Sequence, residues 1–351
     1  MAGMRRSLRA PFPYFGSKRI IASQVWHALG EVASYCEPFA GSAAVLLARP
    51  GGAGRIESIN DLSGHVCNFW RAVKFHRAGL LSLADRLDYP VIEIDLHSRH
   101  RWLDERGDTL AHQLDADPDF VDVEAAAWWA WGLSAWIGSG WCSAQPSEKL
   151  PSIGSTGKGV HSRALSQQLP SLADTCKGVH SRALSGEHAK ALHGAMDETI
   201  SALAERMRLV RVMCGDWRRV VTPAALCDRH VGGRVGVFLD PPYLAKADGK
   251  KRTMGLYGKH DSGDIAAEVS AWARQAAEDH PAWRIVLAGY EGEHDLPGWH
   301  VVAWDTSAGQ WNSGGYGRGK GGQAEENTAR ERLWLSPSCD VPGERGQVVL
   351  F

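Results

Sequence analysis

Predicted strands and helices alternate at both ends of this chain of 351 residues, and the alternation stops in the middle. Short strand-like segments at 34–39 and 55–60 are followed by helix-like segments at 43–48 and 62–75. Such alternation is typical of a doubly wound α/β fold with a parallel sheet. Because the pattern resumes after residue 208, the sequence predicts one α/β domain that is interrupted by an insertion.

The remaining predicted elements complete this α/β pattern. We expect a first helix at 16–29, strands at 209–213, 235–239, 284–288 and 332–335, and a helix at 264–279. The α/β domain therefore comprises residues 11–76 and 209–336 as one discontinuous unit. Residues 337–351 are expected to form a peripheral C-terminal tail.

Residues 77–208 form the predicted insertion, which we expect to be mostly helical, with helices at 123–137 and 196–207. Nine residues, KGVHSRALS, occur twice within the related segments 149–166 and 168–185. Two copies are too few for a solenoid, so we interpret them as a duplication within a polar loop. The tryptophans of the first helix can stack on bases, but packing in a buried core is the favoured interpretation. They are Trp128, Trp129, Trp131 and Trp136.

Composition places the chain among ordinary folded proteins, since 44% of its residues are hydrophobic and its net charge is −1. No run of eighteen apolar residues is present and no apolar signal core follows the basic N-terminus, so no membrane association is expected. The seven cysteines lack CxxC pairs, which favours reduced thiols in the cytoplasm and no metal site. The neutral charge predicts only modest non-specific affinity for nucleic acid.

The sequence Asp240-Pro241-Pro242-Tyr243 follows the predicted strand 235–239. It therefore lies at the carboxyl end of the sheet, where open α/β folds bind ligands. An amine that attacks a methyl group must donate its hydrogens while its lone pair faces the methyl carbon. Asp240 and the Pro241 carbonyl can accept those hydrogens, and Tyr243 can stack on a planar base. The alternative interpretation is a proline turn that ends a core strand.

A second motif, Glu37-Pro38-Phe39-Ala40-Gly41-Ser42, follows the first predicted strand. Gly41 allows the backbone to approach a ligand closely, and the absence of GxGxxG fits a ligand without a pyrophosphate. Asp61 follows Gly41 by twenty residues at the end of the second strand, where an acidic residue can bind ribose hydroxyls. For Asp61 a helix cap is the alternative interpretation.

Two further segments can contribute to a ligand site. Tyr14-Phe15-Gly16-Ser17-Lys18 precedes the first strand and can cover a ligand pocket, with Lys18 available to a ligand carboxylate. Gly215-Asp216-Trp217 follows a strand, so that Asp216 can accept from an adenine amine while Trp217 flanks the ring. The alternatives are a loop before a helix, and an N-cap aspartate followed by a core tryptophan.

Together and in this order, the motifs resemble those of the D12 class (Dam-like) of adenine-N6 DNA methyltransferases. The resemblance covers about residues 11–76 and 209–336. It implies a Rossmann-like S-adenosylmethionine-dependent methyltransferase fold, with residues 77–208 as an inserted target-recognition region. It further implies double-stranded DNA as the partner, no obligate protein partner and no metal.

The resemblance also assigns roles to the motif residues. Asp240, Pro241, Pro242 and Tyr243 would hold a flipped-out target adenine for direct methyl transfer. The S-adenosylmethionine site would comprise Tyr14, Phe15, Gly16, Lys18, Glu37, Pro38, Phe39, Gly41, Ser42, Asp61, Asp216, Trp217 and Asp240.

Three positions depart from the family pattern: Ser17 and Ala43 replace a frequent glycine, and Trp217 replaces a frequent phenylalanine. Two other hypotheses stay open. One is a methyltransferase of the same fold that acts on RNA, cytosine or a glutamine side chain; the other is a non-catalytic DNA-binding relative. Aspartate before Pro-Pro-Tyr favours adenine in DNA, and the intact Asp240 and Tyr243 argue against a non-catalytic protein.

Overall fold

A computed structural model describes residues 8–14, 18–75, 80–87, 89–136, 141–142, 186–242, 265–303 and 331–341. The strands are β1 (Ser34–Glu37), β2 (Ile56–Asp61), β3 (Arg211–Cys214), β4 (Val235–Leu239), β5 (Arg284–Tyr290), β6 (His300–Ala303) and β7 (Glu331–Leu335). The helices are α1 (Ala22–Leu29), α2 (Ala44–Leu47), α3 (Gly64–Phe75), α4 (Leu80–Leu87), α5 (Glu93–Ala116), α6 (Val123–Ala135), α7 (Gly186–Met207), α8 (Asp228–Val231) and α9 (Ile265–Asp279). Within these ranges, no helix combines the length and apolar character that crossing a membrane requires.

The seven strands form one mixed sheet in the order β3-β2-β1-β4-β5-β7-β6. Strands β1 to β5 are parallel, whereas β7 runs antiparallel to both β5 and β6. All five residues of β4 are buried, as expected for a parallel strand covered on both faces. The strand order reverses between β1 and β4, and open α/β sheets bind ligands at the carboxyl ends of the strands beside such a reversal. The predicted α/β class is confirmed.

The described helices of residues 77–208 share a hydrophobic core with the sheet domain. Trp128, Trp129 and Trp131 are buried in that core, where Trp129 meets the ring of Phe12 at 5.1 Å. Trp136 is partly buried and stacks on a histidine of α5. The core interpretation of these tryptophans is therefore confirmed. The duplicated segments 149–166 and 168–185 lie outside the described residues, and the division into domains stays a prediction.

Several predicted boundaries were wrong where local pattern competes with tertiary contacts. The first helix begins at Ala22 rather than at residue 16, because the chain from Lys18 first makes a turn. The predicted strand 209–213 begins at Arg211, because Leu209 is 65% exposed and lies before the sheet. The prediction missed β6, a strand of four residues with no fully buried position, although three of the four residues are apolar.

The predicted peripheral tail was also wrong for its first residues. Cys339 is buried, and the Asp340 carboxylate pairs with Arg284 Nη1 at 2.8 Å. The Asp340 backbone N–H donates to the carbonyl of Ala28, and Arg284 also donates to the carbonyl of Leu29. Residues 337–341 are thus held against α1 and β5 by polar contacts, which hydropathy does not reveal. Residues 342–351 lie outside the described residues.

Candidate active site

The sheet brings four acidic residues of the sequence motifs to one edge. Glu37 ends β1 and Asp61 ends β2, while Asp216 and Asp240 follow the ends of β3 and β4. Because these four strands are parallel neighbours, their carboxyl ends lie side by side. The convergence expected from the motif order is therefore present in the fold.

The loop after β1 is shaped by two residues in the left-handed region of the backbone. Gly41 has φ +47°, and a Cβ there would lie 2.4 Å from the ring of Tyr14. The Tyr14 ring thus lies against this loop, while the expected covering of a ligand pocket stays a prediction. Ala43 is fully buried with φ 49°, a conformation that costs a residue with a side chain about 1 kcal/mol or more. This backbone conformation gives a physical reason for the glycine that is frequent at this position in the family.

Asp61 fastens the loop after β1 to the loop after β2. One carboxylate oxygen accepts from the backbone N–H of Gly41 at 3.0 Å, and the other accepts from that of Ser63 at 2.9 Å. Burial raises the pKa of Asp61 to about 6, and these backbone donors oppose the rise. The contact to Ser63 forms a turn before α3, and Ser63 itself is the cap, because its Oγ accepts from the backbone N–H of Val66 at 3.5 Å. The helix-cap interpretation of Asp61 was therefore wrong, and its contact to Gly41 was not predicted.

Asn60 extends the same connection to the loop after β3. Its Nδ2 donates to the carbonyls of Pro38 and Gly215, each at 3.0 Å. Its Oδ1 is buried and has no hydrogen-bond partner within the described part of the chain. The ends of β1, β2 and β3 are therefore joined by a preformed set of hydrogen bonds that leaves one acceptor unused.

Glu37 lies deeper than the other motif carboxylates and is 2% exposed. Its Oε1 accepts from the hydroxyl of Tyr35 at 2.7 Å and from the backbone N–H of Leu46. Burial raises the pKa of Glu37 to about 8; these hydrogen bonds oppose the rise, and the charge of Asp240 adds to it. Glu37 thus fixes α2 to β1 and lies within electrostatic range of the residue that follows β4.

Lys18 and Asp240, which sequence reasoning assigned to different motifs, form an ion pair. Lys18 Nζ lies 2.9 Å from Asp240 Oδ1, with the side chains 6% and 19% exposed. Pro241 and Pro242 are buried directly after Asp240. The structure thereby connects the N-terminal motif to the end of β4. Four of the predicted motif residues, Phe15, Gly16, Ser17 and Tyr243, lie outside the described residues.

Asp216 and Trp217 face different surroundings. Asp216 accepts from the backbone N–H of Arg218 at 2.8 Å and pairs with its guanidinium at 2.8 Å, so its carboxylate acts as the N-cap of the short helix Trp217–Arg219. The Trp217 ring is buried, 6.0 Å from Phe39 and 5.9 Å from Trp272. Its Nε1 has no hydrogen-bond partner among the described residues.

A cavity of about 580 Å³ lies beside Trp217. Its walls come from the segment after β3 and from α9. The lining residues are Trp217, Arg218, Val221, Thr222, Pro223, Glu268, Ala271 and Trp272. None of the carboxylates at the ends of β1, β2 and β4 lines this cavity. It therefore adjoins the candidate site through the Trp217 ring.

Glu331 is a residue of this edge that sequence reasoning missed. It is the first residue of β7 and pairs with Tyr290, the last residue of β5. Because β7 is antiparallel, its beginning lies at the edge where the parallel strands end. Burial raises the pKa of Glu331 to about 7, while the charge of Lys18 lowers it and that of Asp240 raises it. The available signal was an acidic residue at the start of the predicted strand 332–335.

A family model for the D12 class of N6 adenine-specific DNA methyltransferases matches residues 14–87. The matched segment contains the covering tyrosine, the loop after β1, and the Asn-Asp pair that ends β2. The resemblance inferred from the motifs is therefore confirmed over this segment, and with it the enzyme class. No curated protein matches the chain. Among the described residues, no three His, Cys, Asp or Glu side chains are grouped so as to hold a metal ion.

Proposed function

We propose that this chain, an S-adenosylmethionine-dependent DNA adenine methyltransferase by its match to the D12 class, methylates N6 of an adenine that has left the base stack. The observation that carries the proposal is the position of Asp240. It follows β4 at the strand-order reversal, beside the loop that Asp61 fastens to β2. An acceptor for amine hydrogens thus lies next to a backbone loop that is shaped to receive a methyl donor.

The residues of the edge fit the methyl donor chemically. S-adenosylmethionine carries positive charges on its sulfonium and ammonium groups. Asp240 supplies a partly buried carboxylate nearby, and Glu37 has a raised pKa that such a positive charge would lower. Asn60 Oδ1 and Trp217 Nε1 are buried polar atoms without a partner in the described part of the chain. The rings of Phe39 and Trp217 can flank a planar adenine. When bound, the cofactor supplies an electrophilic methyl group.

Tyr14 and Asp61 have distinct tasks in binding the cofactor. Tyr14 closes over Gly41, while Asp61 holds that loop and presents its remaining lone pairs to the ribose. The full set assigned to the cofactor is Tyr14, Phe15, Gly16, Lys18, Glu37, Pro38, Phe39, Gly41, Ser42, Asp61, Asp216, Trp217 and Asp240.

The target amine is held by the residues that follow β4. The Asp240 carboxylate accepts one N6 hydrogen, and the Lys18 ammonium at 2.9 Å orients that carboxylate. The Pro241 carbonyl accepts the second hydrogen, the two prolines stiffen the loop, and Tyr243 stacks on the base. The rate enhancement comes from positioning and hydrogen bonding, with no covalent enzyme intermediate.

Target recognition falls to residues 77–208, which include the helical layer α4 to α7. Double-stranded DNA is the partner, and the helices of this layer are anchored to the sheet domain through the shared core. Such anchoring would carry the recognition surface rigidly with the methyl-transfer edge. The six cysteines of the described part are free thiols, in keeping with work in the cytoplasm.

The direct test incubates the purified chain with methyl-labelled S-adenosylmethionine and unmethylated DNA, digests the DNA and separates the nucleosides. We expect the label in N6-methyladenine. The Asp240→Ala variant should lose at least about 100-fold in initial rate, because the amine loses its acceptor. Label in cytosine or only in RNA would contradict the adenine assignment, and absence of transfer to any nucleic acid would contradict the proposal as a whole.

A further inference from the structure

Glu331 has an unusual position among the carboxylates of the edge. It lies on the side of Asp240 that is away from the cofactor loops, because the sheet order continues from β4 through β5 to β7. Its charge interacts with both members of the Lys18–Asp240 ion pair. Within the described part of the chain, its carboxylate makes no hydrogen bond or salt bridge of its own. The resemblance to the D12 class assigned no role to this residue.

We propose that Glu331 belongs to the amine subsite, where it stabilises positive charge on the target N6 and accepts the proton that N6 releases. The inference rests on the proposed function, because it needs an amine beside Asp240. It extends the site from the four parallel strand ends to the first residue of the antiparallel strand β7.

The direction of charge movement supports this position. During methyl transfer, positive charge moves from the sulfonium towards the attacking nitrogen. A fixed negative charge near the nitrogen lowers the barrier, whereas one near the sulfonium stabilises the ground state. Glu331 lies beyond Asp240 as seen from the loops of Gly41 and Asp61, so it is closer to the amine side than to the donor side. Its charge therefore favours the transfer rather than the binding of the donor.

The proton balance requires an acceptor on this side. The N6 lone pair forms the new bond to the methyl carbon, and the carbon–sulfur bond breaks with its electron pair left on sulfur. The resulting N6 cation releases one proton, which passes to the Glu331 carboxylate and from there to water. Asp240 is already paired with an ammonium at 2.9 Å and suits the role of an ionised hydrogen-bond acceptor. Burial raises the pKa of Glu331 to about 7, which matches a proton acceptor near neutral pH.

The charged groups near Glu331 influence the proton affinity of its carboxylate. Among the described residues, Lys18 and Asp240 are the charged groups that act on Glu331, and Tyr290, Glu291, Glu293 and Arg332 lie at or just beyond the adjoining ends of β5 and β7. Arg332 pairs with Glu291 at 2.9 Å, and Glu293 accepts from the backbone N–H of Tyr290. Among the described residues, the Lys18–Asp240 pair is the charged partner that acts on Glu331.

The test compares Glu331→Gln, Glu331→Asp and the control Glu291→Gln in single-turnover methyl transfer to DNA at saturating S-adenosylmethionine. We expect Glu331→Gln to slow transfer at least about 10-fold and Glu331→Asp to restore part of the rate. In the unchanged enzyme and in Glu291→Gln, the rate should rise with pH through about 7, and this rise should disappear in Glu331→Gln. The affinity for the donor, measured by calorimetry, should change less than about threefold.

The pH dependence of protein stability provides a second test, which needs neither the methyl donor nor DNA. Since the pKa of Glu331 is raised on folding, the unliganded protein should lose stability as pH rises through about 7, and Glu331→Gln should reduce that loss. A wild-type rate and pH profile in Glu331→Gln would overturn the inference about Glu331 but leave the proposed function intact. A fall in donor affinity that matches the fall in rate would overturn it too, since the residue would then act in donor binding. Absence of adenine methylation by the unchanged enzyme would contradict the proposed function itself.

Discussion

The two halves of the active-site edge are built on different principles. At the ends of β1, β2 and β3, the loops are joined by hydrogen bonds such as those from Gly41 to Asp61 and from Asn60 to Pro38 and Gly215. At the ends of β4 and β5 and the beginning of β7, charged groups face one another, with the Lys18–Asp240 pair at the centre. We call these the cofactor half and the amine half.

This difference teaches how the site divides its work. A hydrogen-bonded frame fixes shape, and it changes little when charge develops in a bound molecule. A set of opposed charges responds strongly to the charge that moves during the reaction. We therefore expect changes in the cofactor half to alter stability and donor affinity, and changes in the amine half to alter rate and pH dependence.

The largest effect on stability should follow from adding a side chain at Gly41 in the cofactor half. In Gly41→Ala, the new Cβ would lie 2.4 Å from the Tyr14 ring, and the residue would keep φ near +47°. We expect a loss of about 4 kcal/mol in unfolding free energy, since overpacking and left-handed strain add. Urea denaturation measures this loss, and calorimetry should show weaker donor binding.

Gly52→Ala provides the matched control for this substitution. Gly52 has φ +89°, but a Cβ there would meet nothing within 4 Å. Only the backbone strain remains, so about 1 to 2 kcal/mol should be lost and donor affinity should stay unchanged. An equal loss in both variants would show that the contact with Tyr14 does not shape the loop.

A smaller effect should come from pH, because Glu37 at the boundary of the two halves is buried with its pKa raised to about 8. A raised pKa means that the folded protein holds this proton more tightly than the unfolded chain does. The stability contributed by the protonated group is complete below about pH 4 and is lost as pH rises through about 8. We expect the unliganded protein to lose at least about 2 kcal/mol from this group over that range.

Glu37→Gln isolates this contribution. The amide oxygen of glutamine can still accept from the Tyr35 hydroxyl and the Leu46 N–H, but it does not ionise. Denaturation curves between pH 5 and pH 8.5 should therefore be flatter for the variant than for the unchanged protein. Parallel curves would mean that Glu37 is not the group whose burial makes the protein less stable at high pH.

The smallest effect concerns the left-handed residue Ala43. Replacement by glycine relieves a conformation that L-residues rarely adopt, at the cost of more freedom in the unfolded chain and of a buried methyl group. We expect a net change within about 1 kcal/mol, with the donor affinity unchanged. A loss above about 2 kcal/mol in urea denaturation would show that the methyl group, rather than the backbone conformation, determines the preference at this position.

The sequence predicted the positions of the strand ends better than the charged contacts at those ends. The strand 235–239 was predicted to the residue, because a fully buried parallel strand is a short apolar run that ends at a polar motif. The ends of β1 and β2 were located within two residues, because turn-forming or polar motif residues follow them, although neither strand is an apolar run. Local pattern therefore determines where the motif residues emerge from the sheet.

The charged contacts could not be obtained in this way. The pairing of Lys18 with Asp240 depends on how the N-terminal segment crosses the finished sheet, and no spacing rule encodes it. Glu331 enters the site because β7 returns antiparallel beside β5, a register that a predicted strand at 332–335 does not specify. The N-cap role of Asp216, in contrast, follows from its position before a short helix and was foreseen as an alternative.

The measurement that tests the division most directly compares Asp61→Ala with Asp240→Ala, one in each half. For both variants we would measure the equilibrium affinity for S-adenosylmethionine and the single-turnover rate of adenine methylation at saturating donor. We predict that Asp61→Ala weakens donor binding at least about 10-fold and keeps the saturated rate within about fivefold. Asp240→Ala should lower the rate at least about 100-fold and change the affinity less than about 10-fold. If both variants lost mainly affinity, or both mainly rate, the two halves would not have separate tasks and the account would be wrong.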